Sequence, residues 1–143
     1  PDWVKAQSIK PCHVLLQFYR IGDKVSLMMT QRSCDTFLGV PFNLAQYAFL
    51  THAVAHVIGC EASEFIWNGG DVHIYENHVE QIEEQIFRTV RAEPTLKFDR
   101  KVDDIDELKM EDFSISGYNP HPRLKGDVSP QGTPGNAIDI EKR

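Results

Sequence analysis

Residues Gln31-Arg32-Ser33-Cys34-Asp35-Thr36-Phe37-Leu38-Gly39-Val40-Pro41-Phe42-Asn43 decide how this chain is read. They pack an arginine, a hydroxyl, a thiol, a carboxylate and a carboxamide into thirteen positions, spaced by apolar groups and a Gly-Val-Pro turn. A core segment has no need of that mixture. A site for an anionic ligand with a polar, planar ring does. Arg32 offers a planar fork of donors beside the short hydroxyl of Ser33, which suits a phosphate. Asn43 carries a donor and an acceptor, so it can read a ring that presents both. Gln31 reads as a supporting polar residue of the same pocket.

Working outward, Cys12 to Tyr19 contains Val14, Leu15, Leu16 and Phe18 and predicts a strand. Ile21-Gly22-Asp23 is a turn signal, and Lys24 to Thr30 predicts a second strand. The hairpin sets Cys12, at the start of one strand, beside Arg32, just past the end of the other. Downstream, Pro41 suits the first turn of a helix. Phe42 to Ile58 is apolar on most sides, the mark of a buried helix, and Gly59 suits its stop. Glu64–Trp67 and Val72–Tyr75 predict short strands about an Asn68-Gly69-Gly70-Asp71 turn, with His73 and Tyr75 on one face. Asn77 to about Arg91 predicts an amphipathic helix, Asp103 to Leu108 a helical turn, and Thr95–Phe98 and Phe113–Tyr118 two further strands.

The fold class that follows is α+β, a mixed and mainly antiparallel sheet packed on a buried helix. Residues 1–10 are polar and irregular. From Lys125 the composition shifts to Gly, Pro, Ser, Gln and Asn. Residues 1–125 therefore read as one folded region and 126–143 as a flexible polar tail.

A chain of 143 residues can bury one useful core. The net charge of −6 argues against a surface that coats a nucleic acid polymer. No apolar run is long enough for a membrane span. The N-terminus lacks the pattern of a signal peptide and an initiator Met, which fits a chain beginning inside a longer gene product. The three cysteines, Cys12, Cys34 and Cys60, have no metal-type spacing, so no metal is expected and a reducing, cytoplasmic setting is the simpler reading.

Four segments, in order, resemble the thymidylate synthase family. Pro11-Cys12-His13 with Gln17-Phe18-Tyr19 is similar to that family's catalytic cysteine and the strand after it. Gln31 to Asp35 with Leu38 to Asn43 resembles its nucleotide-binding segment. Trp67 to His78 resembles its ribose-binding segment. Glu111-Asp112-Phe113 and Gly117-Tyr118-Asn119-Pro120-His121-Pro122 resemble its C-terminal strand and tail. The resemblance runs from about Lys10 to Lys125 and implies the C-terminal part of that fold.

The resemblance also implies roles. Cys12 is the nucleophile that adds to C6 of a uracil ring, its thiolate favoured by the nearby Arg32. Arg32 and Ser33 hold the nucleotide phosphate. Asn43 selects dUMP, since uracil offers an N3–H donor and an O4 acceptor; related deoxycytidylate hydroxymethylases tend to carry an aspartate there. His73 and Tyr75 bind the deoxyribose 3′-OH. Asp35 contacts the pterin of the co-substrate 5,10-methylenetetrahydrofolate, with Leu38, Gly39 and Phe42 as its folate-facing neighbours. The implied reaction is reductive methylation of dUMP to dTMP.

Without the resemblance each residue has a plainer reading. Cys12 reads as a small buried hydrophobe, Arg32 as a surface ion-pair residue, Asn43 as a helix N-terminal residue, and His73 and Tyr75 as a half-buried strand face. Cys34 and Cys60 read as core thiols. His13, Gln17, His52 and Asn68 read as members of core networks.

The chain also departs from the family pattern. The family's N-terminal half carries the proton-handling glutamate, a tyrosine near the thiol, tryptophans near the folate and a phosphate-binding arginine. Two more arginines normally precede the cysteine segment, whereas residues 1–10 contain none. Three expectations follow. The first is the C-terminal portion of a thymidylate synthase, incomplete alone, working with an N-terminal half on another chain and a homodimer mate. The second is a non-catalytic dUMP-binding or dimerisation module. The third is a pyrimidine nucleotide hydroxymethylase, against which Asn43 weighs.

Overall fold

The computed structural model describes residues 11–128 and 137–138. The irregular segment expected over residues 1–10, and most of the tail expected over 126–143, lie outside the described residues.

Strands β1 (His13–Ile21) and β2 (Lys24–Asp35) form the expected antiparallel hairpin, in register from Leu15 opposite Thr30 to Ile21 opposite Lys24, with a shift of one residue before His13 opposite Gln31. Gly22 makes the turn with φ of +60°, a conformation that L side chains rarely adopt. β2 runs on past Thr30 and carries Gln31 to Asp35 into the sheet. The chain then turns into helix α1 (Gly39–Val57). Asp35 shapes that turn: its Oδ1 accepts from the N–H groups of Phe37 and Leu38 at 3.2 and 3.3 Å. Gly59, at φ of +66°, ends the helix, and its N–H donates to the His56 carbonyl.

Strand β3 (Glu61–Tyr75) corrects the expected turn at Asn68-Gly69-Gly70-Asp71. It is one continuous strand, paired parallel to β2 with Gln31 opposite Gly69, Ser33 opposite Asp71 and Asp35 opposite His73. Neither Gly69 nor Gly70 has a positive φ. Gly70 is there for close approach. A Cβ on it would stand 3.2 Å from the Arg32 carbonyl oxygen and 3.4 Å from the Arg32 Cα.

α1 packs on β2 and β3. Leu27, Met29 and Tyr47 form the core, with Leu50, Phe65 and Trp67 packed against it. The helix buries Val40, Tyr47, Thr51, Ala53 and Ala55, while Phe42 in its first turn and Ile58 just past its end stay exposed. The α+β class holds: the main sheet has the order β1-β2-β3-β6, and among the described residues only the β2–β3 pair is parallel.

The helix expected from Asn77 to about Arg91 is shorter. A 3-10 turn at Glu76–His78 leads into α2 (Val79–Ile86). Beyond it, the backbone and side chains bond to the C-terminal segment instead of continuing a helix. The Thr89 carbonyl accepts from His121 Nε2 at 2.8 Å. Arg88 donates to the Pro122 carbonyl, and Arg91 to the carbonyls of Asn119 and Pro120.

β4 (Thr95–Phe98) and β5 (Phe113–Ser116) make a separate antiparallel pair, with a 3-10 turn at Ile105–Glu107 where a helical turn was expected. β5 stops before Gly117, whose φ is +73°. Gly126 and Asp127 lie against the body of the fold. β6 (Ala137–Ile138) pairs antiparallel with Ile74 and Tyr75.

Candidate active site

The face of the sheet that carries the core changes character along its length. Side chains alternate across a strand, so Leu27, Met29, Gln31, Ser33 and Asp35 share one side of β2. Phe65, Trp67, Asp71, His73 and Tyr75 share the matching side of β3. The lower part of this face is apolar and packs on Tyr47. From Gln31 onward it is polar. The C-terminal ends of the parallel pair thus bring Asp35 opposite His73, and the Thr36 N–H donates to the His73 carbonyl at 3.0 Å.

α1 supplies the third wall. Gln31 is buried and donates its side-chain amide to Asn43 Oδ1 at 3.0 Å and to the Ser33 carbonyl at 2.9 Å. Its own carbonyl oxygen accepts from Trp67 Nε1 at 3.1 Å. Gly39 sits between Asp35 and Asn43: a Cβ there would lie 3.5 Å from Asp35 Cβ and 3.6 Å from Asn43 Oδ1. Asp35, Gly39 and Asn43 are therefore direct neighbours.

His73 and Tyr75 meet edge to face, with ring centroids 5.0 Å apart. His73 is buried, and its Nδ1 faces the Asp71 carbonyl at 3.2 Å and the Asp71 carboxylate at 3.5 Å.

The hairpin ties Cys12 to Arg32 as expected. The Arg32 N–H donates to the Cys12 carbonyl at 2.9 Å, and Arg32 Nε donates to the Pro11 carbonyl at 3.1 Å. Cys12 is partly exposed, whereas Cys34 is fully buried. Burial pushes the Cys34 thiol up, and the charges of Asp71 and Cys12 add to this against a hydrogen bond with the Gly70 backbone. Such a thiol is a poor nucleophile. His13 makes an edge-to-face contact with Tyr47 at 4.9 Å.

Leu38 and Phe42 belong to a cavity of about 550 Å³ that is shared with Thr36, Phe37, Pro41, Ile82, Gln85, Arg123, Leu124 and Gly126. Its size and its mostly apolar and aromatic lining fit a flat heterocyclic ring. A second hollow, on the sheet's other face around Tyr19, Lys24 and Met28, carries none of these residues. Among the described residues no group of three or more His, Cys, Asp or Glu side chains is arranged to hold a metal ion. No helix is long and apolar enough to cross a membrane.

The site set read from the sequence thus falls into two neighbouring groups. Cys12 and Arg32 are joined across the hairpin. Asp35, Gly39, Asn43, His73 and Tyr75 gather at the end of β2 and β3, with Ser33 between. Sequence reasoning missed Trp67 as the anchor of Gln31, and His78 as the contact between Tyr75 and the C-terminal segment. An indole next to Asn68-Gly69-Gly70 gave no sign of its partner, because the strand pairing that joins them was not foreseen.

The family model described as thymidylate synthase matches residues 1–130. The chain belongs to the thymidylate synthase family. Thymidylate synthases from three strains of Francisella tularensis subsp. holarctica, FTNF002-00 / FTA, OSU18 and LVS, are each 51% identical over 127 residues. The match covers 88% of this chain and 46% of each relative, so the chain spans about half the length of these thymidylate synthases.

Proposed function

We propose that this chain supplies the nucleotide-holding and nucleophile-bearing part of a thymidylate synthase active site, for reductive methylation of dUMP to dTMP. The observation that carries this is the convergence of Asp35, Asn43 and His73 at the end of the parallel β2–β3 pair, on the same strand in which Arg32, three residues before Asp35, hydrogen-bonds the Cys12 backbone.

In this reading Arg32 and Ser33 take the phosphate, and His73 with Tyr75 takes the deoxyribose hydroxyl. Asn43 reads the uracil edge. Cys12 Sγ adds as thiolate to C6, which makes C5 the nucleophile. The folate co-substrate supplies the one-carbon unit and the hydride. Asp35, Leu38, Gly39 and Phe42 face it, and the remaining apolar lining keeps water from the ring.

The proton-handling glutamate and further phosphate-binding arginines come from a partner carrying the family's N-terminal half, and the working unit is a dimer. Support for a covering partner comes from the exposed apolar residues Phe42, Ile86, Phe87 and Val90 around α1 and α2.

The test is tritium release from 5-tritiated dUMP. The chain is mixed with the N-terminal half of one of the Francisella relatives and methylenetetrahydrofolate. Release by the mixture, and its loss in Cys12→Ser, is the expected result. Absence of release, in a buffer where the intact relative turns over, overturns the catalytic reading and leaves a non-catalytic binding module.

A further inference from the structure

His78 is the most completely buried ring in the described fold, yet it lies outside the set of residues assigned above. Its Nε2 stands 2.8 Å from the Asp127 carbonyl oxygen. A carbonyl only accepts, so Nε2 carries the hydrogen and donates. Its Nδ1 is buried and has no partner among the described residues. Asn77 Nδ2 donates to the same Asp127 carbonyl at 3.2 Å. The ring is also wedged. Phe37 lies 5.0 Å away on one side and Tyr75 6.0 Å on another. Gly126 lies so close that a Cβ on it would come 2.6 Å from Phe37 Cε1 and 3.1 Å from His78 Cδ2 and Nε2.

These contacts join two regions. Arg123, Leu124 and Gly126 form one wall of the cavity that Leu38 and Phe42 line. Tyr75 belongs to the pair that faces the sugar. We infer that His78 is a positioning residue: it latches the C-terminal wall of the cavity at Gly126–Asp127 while its ring rests against Tyr75 and Phe37. It touches no reacting atom and acts through the wall it holds. The assignment of that wall to the co-substrate rests on the proposed function; the latch itself does not.

Amide hydrogen exchange on the full chain tests the latch directly. His78→Phe keeps the ring and deletes the donor, so the amides of residues 125–128 exchange roughly tenfold faster, the effect of one lost hydrogen bond. His78→Gln retains a donor and restores most of the protection. Gly126→Ala leaves the histidine intact but wedges the wall away, and reproduces the His78→Phe pattern. Protection of Leu27 and Met29 in β2 reports that each variant is folded. Unchanged exchange at 125–128 in both His78→Phe and Gly126→Ala overturns the latch.

A second readout separates a positioning role from a merely structural one. In the chain complemented with the relatives' N-terminal half, His78→Phe weakens a folate analogue about tenfold and leaves dUMP affinity within about twofold. Equal weakening of both ligands overturns the positioning role. If neither ligand binds even the unsubstituted complex while the exchange pattern holds, the proposed function fails and the latch stands.

Discussion

Gln31 donates to Asn43 Oδ1 at 3.0 Å, and this bond fixes which way the asparagine faces. The Gln31 amide cannot be flipped. Its nitrogen also donates to the Ser33 carbonyl, and its oxygen accepts from the Trp67 indole. Asn43 Oδ1 therefore points at Gln31, and its NH₂ group is turned toward the rest of the pocket. Gln31→Leu would leave the Trp67 N–H and the Ser33 carbonyl without this partner. The expected loss is about 1–3 kcal/mol of stability, the usual cost of stranding buried polar groups. Thermal unfolding reads this, and a Tm equal to that of the unsubstituted chain would contradict it.

Asn43→Asp follows from the same bond. A carboxylate oxygen accepts from Gln31 as well as the carboxamide oxygen does, so the fold is kept. The group turned to the pocket changes from a donor to an acceptor. Uracil O4 is then opposed by a like acceptor, and the amino group of cytosine is matched. Calorimetric titration with dUMP and dCMP should show the preference moving toward dCMP by about 10- to 100-fold, on the scale of a hydrogen bond to a charged group. Unaltered preference would remove Asn43 from the reading of the ring.

Gly70→Ala tests the close approach of β2 and β3. The new Cβ would meet backbone atoms of Gln31 and Arg32, which cannot rotate away as a side chain can. The strands must part beside Arg32, at a cost of about 1–3 kcal/mol for forced overpacking. Urea unfolding should show a lower midpoint with an unchanged slope. A stable variant with the midpoint unmoved would mean that the strands are not held this tightly.

The same glycine shows why part of the fold was not legible in the sequence. The hairpin, α1 and its stop at Gly59 follow from local signals: a turn, an apolar helix and a left-handed glycine. Gly69-Gly70 carries the local signal of a turn as well. Its real role depends on a parallel neighbour, β2, that lies far away in sequence and is not encoded next to it. The helix expected to reach Arg91 stops at Ile86 for a similar reason. The Thr89 carbonyl and Arg91 bond to residues 119–121, which no periodicity in 77–91 reveals. The clustering of the candidate residues was more legible than the topology. Arg32, Asp35 and Asn43 are close in sequence, and a strand–turn–helix unit of any register keeps them near one another. Gln31 was recognisable only as a supporting group, since its value lies in Trp67 across the sheet.

Acid stability should depend on Asp112. Arg100 donates to both of its carboxylate oxygens, at 2.9 and 2.7 Å, and the Lys109 N–H donates to one of them at 2.9 Å. The side chain is largely shielded from solvent. The hydrogen bond from Arg100, then that from Lys109, hold the carboxyl down from 3.8 to about 2. A carboxyl depressed in the folded state contributes stability that is full above its unfolded value. That contribution is lost as pH falls through the folded value. The window runs from the ordinary carboxylate range down to about pH 2. Asp112→Asn should lower Tm at pH 7 and flatten the fall of Tm on acidification across that window. A variant whose acid limb keeps the slope of the unsubstituted chain would show that other carboxylates set it.

The three thiols should separate by reactivity. Cys34 is fully buried with its thiol pushed up, so both access and thiolate fraction oppose alkylation. Cys12 and Cys60 are partly exposed. Short treatment of the native chain with iodoacetamide should label Cys12 and Cys60 and spare Cys34, which reacts only after denaturation. Peptide mass spectrometry reads the sites. Cys34→Ala should leave the labelling of Cys12 unchanged within about twofold, since a buried, protonated thiol adds no charge to its neighbour. Addition of dUMP should then slow labelling at Cys12 and not at Cys60, because only Cys12 is joined to the strand end that carries Arg32 and Ser33. Labelling of Cys12 and Cys60 at equal rates with and without nucleotide would take Cys12 out of the nucleotide site.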